Sequence, residues 1–173
     1  LHLSIRRQRQ MCIRDSYLVQ DEVEKLASVK DNPTSPYVVV LGGSKVSDKL
    51  GVIEALAEKA DKVIIGGGMC YTFLTAQGHN TQASLLQEEM VDTCKELIEK
   101  YGDKIVLPVD LVVASEFDND ADRKVVDLDG TPEGWMSLDI GPETAKKYAE
   151  IIADSKTVFW NGPMGAVSYT HLR

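Results

Sequence analysis

Cysteine is scarce and follows no binding pattern: Cys12, Cys70 and Cys94 form an odd set with no close pair and no histidine cluster beside them. That excludes a disulfide framework and a zinc site as organising features, and such usage suits a reducing cytoplasm. No apolar run approaches the roughly 20 residues that cross a bilayer, and the start lacks the apolar stretch of a secretory signal, so no membrane partner is expected. A basic excess is missing too. The formal charge is −8, which speaks against a nucleic-acid partner and requires any phosphate site to be small and local.

Arginine is nearly confined to the ends. Arg6, Arg7, Arg9 and Arg14 lie in the first sixteen residues and Arg173 is the last, leaving Arg123 alone in the interior. Without residues 1–16 and 167–173 the formal charge falls to −12, because those segments carry five arginines and one aspartate. Two compositions are joined. The stretch RRQRQMCIRDS has little amphipathic pattern, and VSYTHLR at the other end needs its own explanation. Residues 1–16 and 167–173 therefore read as non-native tails rather than as a transit peptide.

The interior alternates strand and helix signals. YVVVL from Tyr37 reads as a buried strand ending in Gly42-Gly43-Ser44-Lys45. A helix is predicted next, capped by Ser47, with Leu50, Ile53, Leu56, Ala57 and Ala60 forming its apolar stripe. KVIIGGGM repeats the plan: a strand over Val63–Ile65, a glycine run at 66–68, and a short helix through Phe73 and Leu74 that stops before Gly78. Met90, Cys94, Leu97, Ile98 and Tyr101 mark a longer helix closed by Gly102. KIVLP and DLVVA read as two further strands, and residues 118–134 as a polar, turn-rich stretch. Pro142 opens a helix containing Tyr148, Ile151 and Ile152, and TVFW supplies a last buried strand before Asn161-Gly162-Pro163-Met164-Gly165.

This pattern predicts an α/β fold, a three-layer Rossmann-like domain with a mostly parallel sheet, incomplete at its C-terminus. Ligands in such folds sit beyond the carboxyl ends of the strands, where the turns GGSK, GGGM and NGPMG converge. Lys45 and Lys49 are expected on one side of the first helical turn, where free N–H groups and the helix dipole already favour an anion. Solvated surface lysines fit the spacing equally well; the neighbouring double glycine favours polyphosphate. The turn is no Walker loop, since the glycines directly precede the lysine, and Tyr71 stands where a dinucleotide fingerprint needs its third glycine. Gly66–Gly68 and Asn161-Gly162-Pro163 fit either a ligand contact or a plain turn. His79 reads as a surface histidine without a catalytic partner, and Asp110 as a turn or cap residue rather than a metal ligand.

Taken in order, GGSKVSDK, VIIGGGM, LPVDLVVA, WMSLDIGP and TVFWNGPMG resemble the phosphoglycerate kinases over Tyr17 to Gly165. Residues 17–166 would then be part of a nucleotide-binding domain whose parent transfers a phosphoryl group between 1,3-bisphosphoglycerate and ADP in glycolysis. The resemblance implies that Lys45 reaches the transferring phosphoryl group, that Lys49 binds the nucleotide phosphates, and that Asn161 contacts the phosphate chain. By the same comparison Gly42, Gly43, Gly67, Gly68, Leu85, Met136, Ser137, Gly162 and Pro163 contribute to the nucleotide site, with the glycine-turn amides facing charge. Mg2+ would accompany ADP or ATP, with no metal ligand in this chain, and phosphoglycerate would be held by a separate N-terminal domain. The parent is expected to be cytoplasmic and monomeric. Departures are small at Ser44 and Ser137, where the family usually has Ala and often Gly. They are larger at Ser168, which stands at the acid that meets the ribose, and in the lack of a later GGDT-type loop. The chain alone is expected not to turn over. A nucleotide-sensing paralogue is the rival from another class, and an NAD-dependent oxidoreductase is disfavoured by the missing fingerprint.

Overall fold

The computed structural model describes residues 17–166 apart from positions 18, 25, 28, 30, 31 and 119. The expected tails therefore lie outside the described residues. The chain divides into a first unit ending at Thr34 and a second beginning at Ser35. In the first, the described residues between Tyr17 and Val29 are helical.

The second unit is α/β and carries two sheets. Strands β1 (Tyr37–Leu41), β2 (Lys62–Ile65), β3 (Ile105–Val106) and β7 (Thr157–Asn161) form a parallel sheet in the order β3-β2-β1-β7. β1 is buried along its whole length and lies centrally between β2 and β7, as the unbroken apolar run YVVVL requires. Helices α1 (Leu50–Ala57), α2 (Met69–Ala76), α3 (Val91–Tyr101) and α4 (Pro142–Ala153) connect and cover these strands. On one face Val38, Val40, Ile64 and Val106 pack with Tyr148, Ile151 and Ile152 of α4. The Tyr148 hydroxyl donates to the Ile65 carbonyl at 2.9 Å, so the buried phenol has its partner. α1 packs on β1 and β2 through the predicted stripe, with Ile53, Leu56, Ala57 and Ala60 buried. α2 is buried from Met69 to Leu74 and packs against α3.

Four expectations are corrected. DLVVA, as β4 (Asp110–Ala114), is the centre of a second, antiparallel sheet with β5 (Arg123–Asp127) and β6 (Met136–Ile140). β5 is almost wholly exposed, so its residues carry no apolar pattern, and it falls inside the stretch predicted to be turns. TVFW is not buried: β7 pairs only with β1 among the described residues, and Val158 and Trp160 are 40% and 57% exposed. Ser47 does not cap α1, which begins at Leu50 with no side-chain cap.

Candidate functional site

The three glycine turns meet at the carboxyl edge of the parallel sheet, and they meet backbone against backbone. Gly42 N–H donates to Asn161 O at 2.9 Å, Gly43 N–H to Pro163 O at 3.1 Å, Gly67 N–H to Met164 O at 2.7 Å, and Met69 N–H to Gly43 O at 2.9 Å. A Cβ on Gly42 would lie 2.0 Å from Pro163 O, and one on Gly67 2.6 Å from Gly43 N. No side chain fits there. The expected set of ligand-facing amides is accordingly smaller: the N–H groups of Gly42, Gly43 and Gly67 are engaged in joining the turns. Among the described residues the N–H groups of Ser44, Lys45 and Gly68 have no backbone acceptor.

Lys45 and Lys49 do not share a first helical turn. Val46 is fully buried and its carbonyl accepts the Lys49 N–H at 2.9 Å, so the segment folds into a turn ahead of α1. Lys49 stands at the N-cap position, where its own carbonyl accepts Val52 N–H at 2.9 Å and Ile53 N–H at 2.8 Å. Its ammonium donates to Asn161 Oδ1, linking the first glycine turn to the last. Lys45 is exposed and makes no hydrogen bond or ion pair among the described residues. The site therefore has one cation held in place and one free to move.

The other predicted residues border this edge. Leu85 is 51% exposed, and its Cδ2 would lie 2.9 Å from a Cβ on Gly68, so its side chain rests on that glycine. Ser137 is buried and its N–H donates to Ser84 Oγ at 2.9 Å, which ties β6 to the segment carrying Leu85. Met136, half-buried, opens β6 one residue earlier. Gly162 has φ +95° and would place a Cβ 2.3 Å from Gly42 O, with Pro163 following it against Gly42 and Gly67. Lys49, Asn161 and the turns are thus brought together, Leu85 covers Gly68, and Lys45 and Met136 touch none of the others in the contacts described.

Several contributors carry no local sequence signal. Met164 covers Gly66, with its Cε 2.3 Å from where a Cβ would be. Gln87 grips the lysine loop: its Oε1 accepts Val46 N–H at 2.6 Å and Ser47 N–H at 3.2 Å, and its Nε2 donates to Ser47 Oγ at 3.1 Å. Asp110 caps α4 from a distance, accepting Glu143 N–H at 3.0 Å and Thr144 N–H at 2.7 Å. Burial favours its neutral form, but these N–H groups and the Thr144 hydroxyl favour the carboxylate more, so its pKa lies below the ordinary value. His79 does have a partner, Asp129, at 3.0 Å from Nδ1, far away in sequence and on the exposed surface. Among the described residues no group of three or more His, Cys, Asp or Glu is placed to hold a metal ion.

Most of the chain is similar to known proteins. Residues 10–173 match the family model "Phosphoglycerate kinase". A phosphoglycerate kinase of Corynebacterium aurimucosum is 75% identical over 148 residues, which is 86% of this chain and 36% of that protein. One from Corynebacterium glutamicum is 66% identical over 152 residues, 88% of this chain and 38% of the relative. The solved phosphoglycerate kinase of Coxiella burnetii superposes with a TM-score of 0.83 at 40% identity, over 86% of this chain and 39% of the other. The chain thus spans well under half the length of these relatives, and with a family model matching nearly all of it, it belongs to the phosphoglycerate kinase family.

Proposed function

We propose that this chain carries the nucleotide-binding part of a phosphoglycerate kinase, which moves a phosphoryl group between 1,3-bisphosphoglycerate and ADP, giving 3-phosphoglycerate and ATP. The observation that carries this is the joined edge of three glycine turns bearing Lys49 on Asn161, with Lys45 free beside them. Phosphoryl transfer asks the protein mainly to position two substrates and offset charge on the equatorial oxygens. Lys49 is suited to hold nucleotide phosphates, because Asn161 fixes its ammonium without cancelling its charge. Lys45 is suited to follow the transferring group, because nothing described restrains it. The N–H groups of Ser44, Lys45 and Gly68 are among the backbone donors left for anionic oxygen. Leu85, Met136 and Ser137 would border the adenosine, whose ring would lie on Gly67 and Gly68. Mg2+ would arrive with the nucleotide and neutralise phosphate charge. Phosphoglycerate would be presented by another domain of the parent, which we take to be cytoplasmic and monomeric.

The test places residues 17–166 in the corresponding segment of the C. aurimucosum kinase and assays the chimera with ADP and 1,3-bisphosphoglycerate. Turnover is expected, with Lys45→Ala lowering kcat by roughly 100-fold or more, as for removal of one transition-state donor. The 173-residue chain alone should read background, since positioning of the second reactant contributes on the order of 7 to 11 kcal/mol. A silent chimera, or turnover by the chain alone that disappears in Lys45→Ala, would overturn the proposal.

A further inference from the structure

Gln87 bonds the first two residues of the turn that carries the lysine loop. Its Oε1 lies 2.6 Å from Val46 N and 3.2 Å from Ser47 N, and its Nε2 lies 3.1 Å from Ser47 Oγ. Val46 and Ser47 are two of the three residues between Lys45 and Lys49, the third being Asp48. The backbone of Gln87 is anchored elsewhere: its N–H donates to Thr72 Oγ1 at 3.3 Å, and Thr72 is buried in α2, the helix opened by Gly68. One residue therefore connects the lysine loop to the helix that follows the second glycine turn. The loop is also held by buried Val46, by the Lys49 N–H on Val46 O and by the Lys49 ammonium on Asn161, but Lys45 has no side-chain partner among the described residues and α1 has no side-chain cap.

We propose that Gln87 is a positioning residue for nucleotide phosphate: by accepting the Val46 and Ser47 N–H groups it fixes the turn on which Lys45 and Lys49 stand. The inference rests on the nucleotide reading of the site, and it makes no contact between Gln87 and ligand. Without the carboxamide the two N–H groups would turn to water and the loop would sample other conformations, lowering the fraction of the protein with both ammonium groups in place.

The test uses the full-length chimera described above and five variants: Gln87→Met, Gln87→Ala, Gln87→Glu, Lys49→Ala and the double variant Gln87→Met with Lys49→Ala. Methionine keeps the length of the side chain and removes the acceptor, alanine removes both, and glutamate restores the acceptor. Gln87→Met and Gln87→Ala should each raise KM for ADP about tenfold, the size expected for loss of one or two modest hydrogen bonds. KM for 1,3-bisphosphoglycerate should stay within about twofold, and Gln87→Glu should return KM for ADP to within about threefold of the parent. In the Lys49→Ala background the effect of Gln87→Met should shrink, because the restraint then has one cation fewer to position. If Lys49→Ala raises KM for ADP and neither Gln87 deletion does, the inference is wrong and the nucleotide reading stands. If Lys49→Ala itself leaves ADP untouched, both fall. A Gln87 variant that melts earlier with unchanged KM for ADP, or equal losses for both substrates, assigns the residue a structural role only and likewise overturns the inference.

Discussion

Lys49 and Asn161 stand 112 positions apart in the chain and share a hydrogen bond in which the ammonium donates to the carboxamide oxygen. The parallel pairing of β1 with β7, which sets Leu41 opposite Asn161, brings them together. An amide partner orients the lysine and leaves its charge whole. A carboxylate there would have offset the attraction for phosphate.

The first prediction concerns that charge. Lys49→Ala in the full-length chimera should weaken ADP binding about tenfold, the order expected for losing one charge-assisted hydrogen bond, and leave adenosine binding nearly unchanged. Titration calorimetry with the two ligands decides it. Equal losses for both would remove Lys49 from the phosphate site.

Two glycines of the joined turns should respond differently to the same change. At Gly162 an alanine meets both φ +95° and a carbonyl oxygen 2.3 Å away, whereas at Gly43 it meets φ +131° but nothing nearer than Lys49 Cε at 3.8 Å. Gly43→Ala should cost about 1 to 3 kcal/mol from strain alone. Gly162→Ala should cost about 1 to 3 kcal/mol more, from the backbone contact. Calorimetric melting of the two variants measures the gap, and comparable losses would show that the turns can part without cost.

Asp110 predicts an acid limb in stability. Its folded-state pKa lies below the ordinary value, so its contribution is complete above about pH 4 and is lost as the pH falls through the folded pKa. Asp110→Asn keeps one acceptor oxygen and turns an amide N–H toward the other donor, so it should destabilise the fold by about 1 kcal/mol at neutral pH and flatten that limb. Denaturant unfolding from pH 2 to pH 7 tests both statements. An unchanged acid limb in Asp110→Asn would assign the pH dependence to other carboxylates.

On the surface, Asp129 should titrate below the ordinary aspartate range because His79 hydrogen-bonds its carboxylate, with Asn80 N–H adding a smaller effect. Carboxyl-carbon NMR on the wild-type chain and on His79→Ala should show the Asp129 pKa rising toward the ordinary value in the variant. A pKa that does not move would mean that His79 and Asp129 do not stay paired in solution.

Much of the parallel half was legible in the amino-acid order. YVVVL, KVII, the α1 stripe, Pro142 at the opening of α4 and the closing glycines each carry a local cause, whether burial on both faces, helical spacing or a fixed φ. The family motifs were equally local, so the candidate residues and the strand ends bearing them could be named. Tertiary structure decided what those residues do to one another. β5 and β6 exist because β4 supplies a partner on each side, and an exposed strand such as β5 leaves little pattern to read. Val46 sinks into the core and converts an expected helical pair of lysines into a turn with one fixed and one free cation. Gln87, Met164 and Asp110 reach the site or its supporting helix over tens of residues, by contacts that no local spacing encodes. Periodicity and turn chemistry act over a few residues, whereas hydrogen bonds between strand ends form only after the sheet has set the register.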